Sequence, residues 1–126
     1  MSRRAMQVAS LIERAIKDVL ARGLDDPRVK GLLTVTGVTV TDDLRQASVK
    51  VSVLPAEHGE LALHALRHAA KHLRHEVSER VDLRRVPELS FKLDESLKRQ
   101  ADVLNALAKV VEERGDDDTD KGEDAS

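Results

Sequence analysis

The 126-residue sequence reads as an α+β protein: a three-stranded mixed sheet with helices packed on one face, in the order α-β-β-α-β-α. Three observations lead there. An N-terminal stretch carries apolar residues at helical spacing, and two alternating segments follow it. A second helical stretch then separates those segments from a third alternating run, Leu89, Phe91 and Leu93. A hairpin followed by a crossover helix brings the third strand back into the same sheet in mixed orientation.

The first helix is expected from Ser2 to Arg22. Val8, Leu11, Ile12, Ala15, Ile16, Val19 and Leu20 fall on one stripe, Ser2 can cap its start and Gly23 can end it. Asp25-Asp26-Pro27-Arg28 is a break, with Asp26 able to cap a short turn that has Pro27 at its first position. Leu32 to Thr41 reads as a strand whose alternation slips once. Leu33 and Val35 share one parity and Val38 and Val40 the other, so a bulge at Gly37 returns all four side chains to one face. Asp42 to Arg45 turns the chain, and Ala47, Val49, Val51 and Val53 alternate through a second strand that Pro55 ends. Gly59 to Val81 is helical, with Ala62, Ala65, Leu66, Ala69, Leu73 and Val77 on its buried face. The third strand lies near Val86 to Leu93, and Pro87 implies an edge or an unpaired start. A last helix is expected from about Ser96 to Glu113, carrying Leu97, Leu104, Leu107 and Val111. The organisation is therefore a domain over 1–113 and an acidic, disordered tail over 114–126.

Composition excludes several functions. With no cysteine, disulfides, thiol catalysis and cysteine-ligated zinc are ruled out. Phe91 is the only Phe, Tyr or Trp, so the protein cannot stack successive bases on aromatic platforms. An RNA ligand would have to be held through phosphates, shape and backbone groups. No apolar run approaches the ~20 residues that span a bilayer. The N-terminal stretch superficially resembles a transit peptide, but Glu13 and Asp18 argue against one. A soluble cytoplasmic monomer is expected. The net charge of −2 conceals an asymmetry: residues 112–126 hold eight acids and two bases, and the preceding residues hold 15 acids and 19 bases.

The five histidines all lie between His58 and His75. At about 100° per residue, His64, His68, His72 and His75 share the solvent side of the helix with Arg67, Lys71 and Arg74. Three readings of this ribbon compete. It can contact RNA phosphates, it can be a solvated face without a partner, or the spacing of His64, His68 and His72 can place two imidazoles on one metal ion. The neighbouring cations oppose the metal reading, and no metal site is expected. Asp42-Asp43 and Asp94-Glu95 sit where turns and helix caps favour acids. No Gly-rich phosphate loop or nucleophile–histidine–acid arrangement is present, so no enzymatic activity and no cofactor are expected. The rival to RNA binding is a protein-interaction module with no direct RNA role.

Several segments together resemble one family. They are Gln7-Val8-Ala9-Ser10-Leu11-Ile12 through Leu20, Asp26-Pro27-Arg28, Thr34-Val35-Thr36, and Thr41-Asp42-Asp43-Leu44 with Ala47. Val86-Pro87-Glu88-Leu89-Ser90-Phe91 with Asp94 and Ser96 completes the set. Over residues 4 to 107 the chain resembles bacterial ribosome-binding factor A. The resemblance implies a type II KH-like domain that binds the small (30S) ribosomal subunit at immature 16S rRNA, near its 5′ helix. It implies a role in late maturation, including 5′-end processing, and in cold adaptation, with a ribosome-associated GTPase in release. It extends the basic face to Arg74, Arg80, Arg84 and Arg85, so that Arg67, Lys71, His72, Arg74, Arg80, Arg84 and Arg85 form the expected RNA-binding set. The family bends its central helix at an Ala-x-Gly; here the matching residues are Ala69-Ala70-Lys71. Lysine favours a continuous helix where glycine would ease a bend, and a direct Lys71–phosphate contact can partly replace the close approach that a bend permits. The acidic tail can compete with RNA for this basic face.

Overall fold

The first helix forms because one stripe of aliphatic side chains meets a capped start. In the computed structural model, which describes residues 1–23 and 26–117, α1 spans Arg3–Ala21. The Ser2 hydroxyl accepts from the Ala5 N–H at 3.0 Å. Gly23 ends the helix at φ +87° and donates to the Leu20 carbonyl. The buried stripe is Ala5, Val8, Ala9, Ile12, Ala15, Ile16 and Val19. Leu11, expected on that stripe, is 42% exposed; Ala5 and Ala9 take the close-packed positions on its flank. Asp25 lies outside the described residues, and the following turn is closed by a Val29 N–H to Asp26 carbonyl bond of 3.1 Å.

Two compact units make up the chain, Met1–Asp94 and Glu95–Ser126. In the first, β1 (Leu32–Val40) and β2 (Gln46–Leu54) form an antiparallel hairpin, and β3 (Glu88–Leu93) pairs parallel with β2. The sheet order is β1-β2-β3. The expected bulge is present: Val35 pairs with Val51, Gly37 pairs with Lys50, and Thr36 is the extra residue. Val35, Val38 and Val40 consequently share the buried face. Beside them lie Ala47, Val49, Val51 and Val53 of β2 and Leu89 and Phe91 of β3. The opposite face carries Thr34, Thr39, Lys50, Ser90 and Lys92.

The segment from Gly59 is not one helix. After a single 3₁₀ turn at Ala56–His58, α2 (Gly59–His68) and α3 (Ala70–Ser78) are separated at Ala69, whose φ and ψ are −90° and 4°. This backbone needs no glycine, because φ stays negative in a region open to alanine. Ala69 and Ala70 pack partly buried against the core, and small side chains there let the two helices follow the sheet. Ala62, Leu63, Ala65 and Leu66 of α2 and Leu73 and Val77 of α3 close the core over β2 and β3. No polar or charged residue among those described is fully buried. The core is aliphatic apart from Phe91, and its driving force is area removed from water at about 25 cal/mol per Å².

The second unit contains α4 (Ser96–Asp117). It runs past the expected end at Glu113 and through Gly115, since one glycine costs only about 1 kcal/mol in a helix. The remainder of the acidic tail, residues 118–126, lies outside the described residues.

Candidate nucleic-acid interface

Parallel pairing of β2 and β3 decides where the basic residues meet. Both strands start at the same end of the sheet: Gln46 pairs with Glu88, and the Glu88 N–H donates to the Arg45 carbonyl at 2.9 Å. The hairpin turn preceding β2 therefore lies beside the loop leading into β3. The start of α1 joins them, because the Ser2 N–H donates to the Asp42 carboxylate at 2.7 Å. Three separate segments thus bring Arg4, Arg45, Arg84 and Arg85 to one end of the sheet.

The seven residues singled out in the sequence have different roles here. Arg84 and Arg85 are exposed and make no intramolecular hydrogen bond or ion pair among the described residues. Lys71 and His72, in the first turn of α3, are likewise exposed and unpaired within the described chain. Arg67 is exposed, and its Nη2 reaches the Phe91 carbonyl at 3.5 Å. Arg74 turns inward, with Nε and Nη2 donating to the Val86 carbonyl at 2.9 and 2.6 Å. Arg80 binds the Asp18 carboxylate through Nε at 2.9 Å and the Glu76 carbonyl through Nη1 at 2.8 Å. That partnership holds the exposed Asp18 carboxyl below the usual carboxylate range. Arg74 and Arg80 therefore fasten α3 to its neighbours, leaving Lys71, His72, Arg84 and Arg85 with unpartnered side chains.

Arg84 lies between two grooves. One is a shallow channel beside α3, where Lys71, Arg74, His75, Leu83 and Arg84 come together. The other runs under the hairpin turn and is rimmed by Arg4, Arg45, Arg84 and Arg85. Arg4 and Arg45 were missed as site residues in the sequence. Arg4 lies in the first turn of α1 and Arg45 at the end of the hairpin turn, and local spacing links neither to the loop before β3. The available signal was topological: a parallel return to β2 puts the residue before β2 next to the loop before β3.

The break at Ala69 divides the histidine ribbon. His64 and His68 belong to α2, and His72 and His75 belong to α3. The three-membered histidine–carboxylate cluster found among the described residues is His75, Glu76 and Glu79, not the ladder of His64, His68 and His72. His75 Nε2 lies 2.9 Å from Glu79 Oε1, with both side chains more than half exposed. The paired acids of the hairpin have turn roles. Asp42 receives the Ser2 N–H, and Asp43 Oδ1 accepts from the Thr41 hydroxyl at 2.6 Å and the Arg45 N–H at 3.1 Å.

Fold and surface together define a class: a small mixed-sheet α+β domain whose arginines gather at the end where two parallel strands begin. Comparison with known proteins identifies the family. The family model described as ribosome-binding factor A matches residues 4–107, and the chain belongs to that family. It is 36% identical to ribosome-binding factor A of Geobacter metallireducens, over 94% of this chain and all of that protein. The crystal structure of the Thermus thermophilus factor superposes with a TM-score of 0.64 at 33% identity, covering 73% of this chain and 97% of that one. A homology model of the T. thermophilus factor, fitted into a cryo-EM map of a 30S complex, superposes with a TM-score of 0.61 at 34% identity. It covers 73% of this chain and 96% of that one. No described helix is long and apolar enough to cross a membrane.

Proposed function

We propose that this chain is an assembly factor that binds the small (30S) ribosomal subunit and supports late maturation of 16S rRNA, including 5′-end processing, with a role in cold adaptation. It acts as a cytoplasmic monomer, contacts the 5′ helix region of the RNA, carries out no chemical step, and is released with the help of a ribosome-associated GTPase. The observation that carries this reading is the placement of unpartnered Lys71, Arg84 and Arg85 along two neighbouring grooves that share Arg84. Family membership and the 30S complex of the T. thermophilus factor support the choice of RNA. A surface with cations and no aromatic platform grips phosphates and RNA shape without reading many bases, which suits a factor that holds a folding rRNA and later lets go.

The test is co-sedimentation of the full chain with immature small subunits over a range of salt concentrations. Replacing Lys71, Arg84 and Arg85 together with Ala is expected to weaken binding and reduce the slope of log affinity against log salt by about 2–3. A folded triple variant that binds with unchanged affinity and slope overturns this surface. Association that survives complete ribonuclease digestion of the subunit favours a protein-interaction module instead.

A further inference from the structure

The groove under the hairpin turn has more chemistry than phosphate binding requires. Its floor is apolar, formed by Val8 of α1, Leu44 of the turn and Leu83 of the loop before β3. Its rim holds the four arginines, and one carboxylate, Asp43, lines it as well. The volume is about 220 Å³, below the ~300–1,000 Å³ of pockets that enclose a small molecule. A half-open space of this size accommodates one residue of a longer chain.

Asp43 is the informative member. A carboxylate among arginines opposes a bound phosphate, so the groove is poorly explained as an anion site alone. The Thr41 hydroxyl and the Arg45 N–H both bind Oδ1, and they hold the carboxyl below its usual range. Oδ2 has no hydrogen-bond partner among the described residues. It is an exposed anionic acceptor lining the groove next to Leu44, suited to an N–H donor. Leu44, beside it, is held at φ +62°, and backbone strain of this kind concentrates at binding surfaces. Arg4, Arg84 and Arg85 have no intramolecular partners among the described residues, and Arg45 offers its guanidinium at the same rim.

We propose that this groove takes a single unpaired nucleotide of RNA, its base lying over Leu44 and Leu83, an exocyclic amine donating to Asp43 Oδ2, and the flanking phosphates held by Arg4, Arg84 and Arg85. The inference rests on the RNA-binding reading above and adds selectivity for a base that bears an amine. Cytosine has a donor where uracil has an acceptor, so the two bases separate the Asp43 contact from the phosphate contacts.

The experiment measures binding of the full chain to fluorescent single-stranded octacytidine and octauridine at low salt by anisotropy, alongside small-subunit co-sedimentation. Octacytidine is expected to bind at least about tenfold more tightly, as a hydrogen bond to a charged group supports. Asp43→Asn retains an acceptor for Thr41 and Arg45, so the turn is preserved, and circular dichroism checks its fold. This variant is expected to lose or reverse the preference, because an amide can donate to the uracil carbonyl. Arg4→Ala is expected to weaken both ligands equally and leave the preference intact. Equal binding of the two oligomers by the unaltered chain, or an unchanged preference in folded Asp43→Asn, overturns the inference. If subunit binding then still depends on Lys71, Arg84 and Arg85, the proposed function stands without the nucleotide groove. If no subunit binding occurs at all, the broader reading fails with it.

Discussion

The Arg74 guanidinium donates through both Nε and Nη2 to the single carbonyl oxygen of Val86, fixing the loop that carries Arg84 and Arg85 against α3. Arg74→Ala is expected to destabilise the domain by about 1.5–3 kcal/mol, the range for a hydrogen bond made by a charged group. Arg74→Lys retains the charge but cannot present two donors from one planar fork. It is expected to lose stability while leaving the salt dependence of RNA binding nearly unchanged. Urea unfolding and a salt titration of each variant separate the two effects.

Acid should weaken the turn at Asp26. Arg28 donates from its side chain to both carboxylate oxygens and from its backbone N–H to Oδ1. The side-chain bonds are the larger cause, and together they lower the Asp26 carboxyl to about 2 from 3.8. A carboxylate more acidic in the folded state contributes stability that is complete above the unfolded value and lost as pH falls toward the folded one. The contribution therefore disappears between about pH 3.8 and about pH 2. Asp18, lowered mainly by its hydrogen bond from Arg80, has the same sign. Urea midpoints measured down this range should fall less steeply for Asp26→Asn than for the parent chain.

Lys71→Gly tests the origin of the bend. The break lies at Ala69, two residues earlier, so glycine at position 71 has no bend to create. The substitution is expected to cost up to about 1 kcal/mol of helix stability and to reduce the salt slope by about 1 through the lost cation. A gain in stability would place the bend's cause at residue 71.

Two glycines with positive φ should respond unequally to alanine. Gly23 has φ +87° and open space around the position of a Cβ, whereas a Cβ on Gly31, at φ +81°, would collide with the Leu54 carbonyl oxygen. Gly23→Ala is expected to show only the left-handed backbone cost of about 1–2 kcal/mol. Gly31→Ala should exceed it, because backbone rather than a flexible side chain obstructs the new methyl. Equal midpoints of urea unfolding for the two variants would refute the collision.

Much of the architecture could be read from periodicity. The bulge was legible because Leu33 and Val35 differ in parity from Val38 and Val40, and only an extra residue reconciles them. Pro87 signalled an unpaired start, and β3 begins one residue later, at Glu88. The bend was less accessible: alanine is a strong helix former, and Ala69 departs from the helix through packing that local propensity does not encode. The surface was half legible. Helix spacing identified Arg67, Lys71 and Arg74, and the family resemblance added Arg80, Arg84 and Arg85, but neither could tell Arg84, which is unpartnered, from Arg74 and Arg80, which are held by Val86 and Asp18. Those distinctions depend on contacts between residues 12 and 62 positions apart.

The parallel β2–β3 ladder has a kinetic corollary. The β1–β2 hairpin closes over the short turn from Thr41 to Arg45, but β3 can dock only after the whole stretch from Pro55 to Pro87 has folded back. Distant pairing is the slower event in such topologies. A nascent chain that has emerged only as far as α2 can zip its hairpin yet has no assembled cationic end. Arg4, Arg45, Arg84 and Arg85 come together only once synthesis has passed Leu93, so the cationic end is a late product of folding.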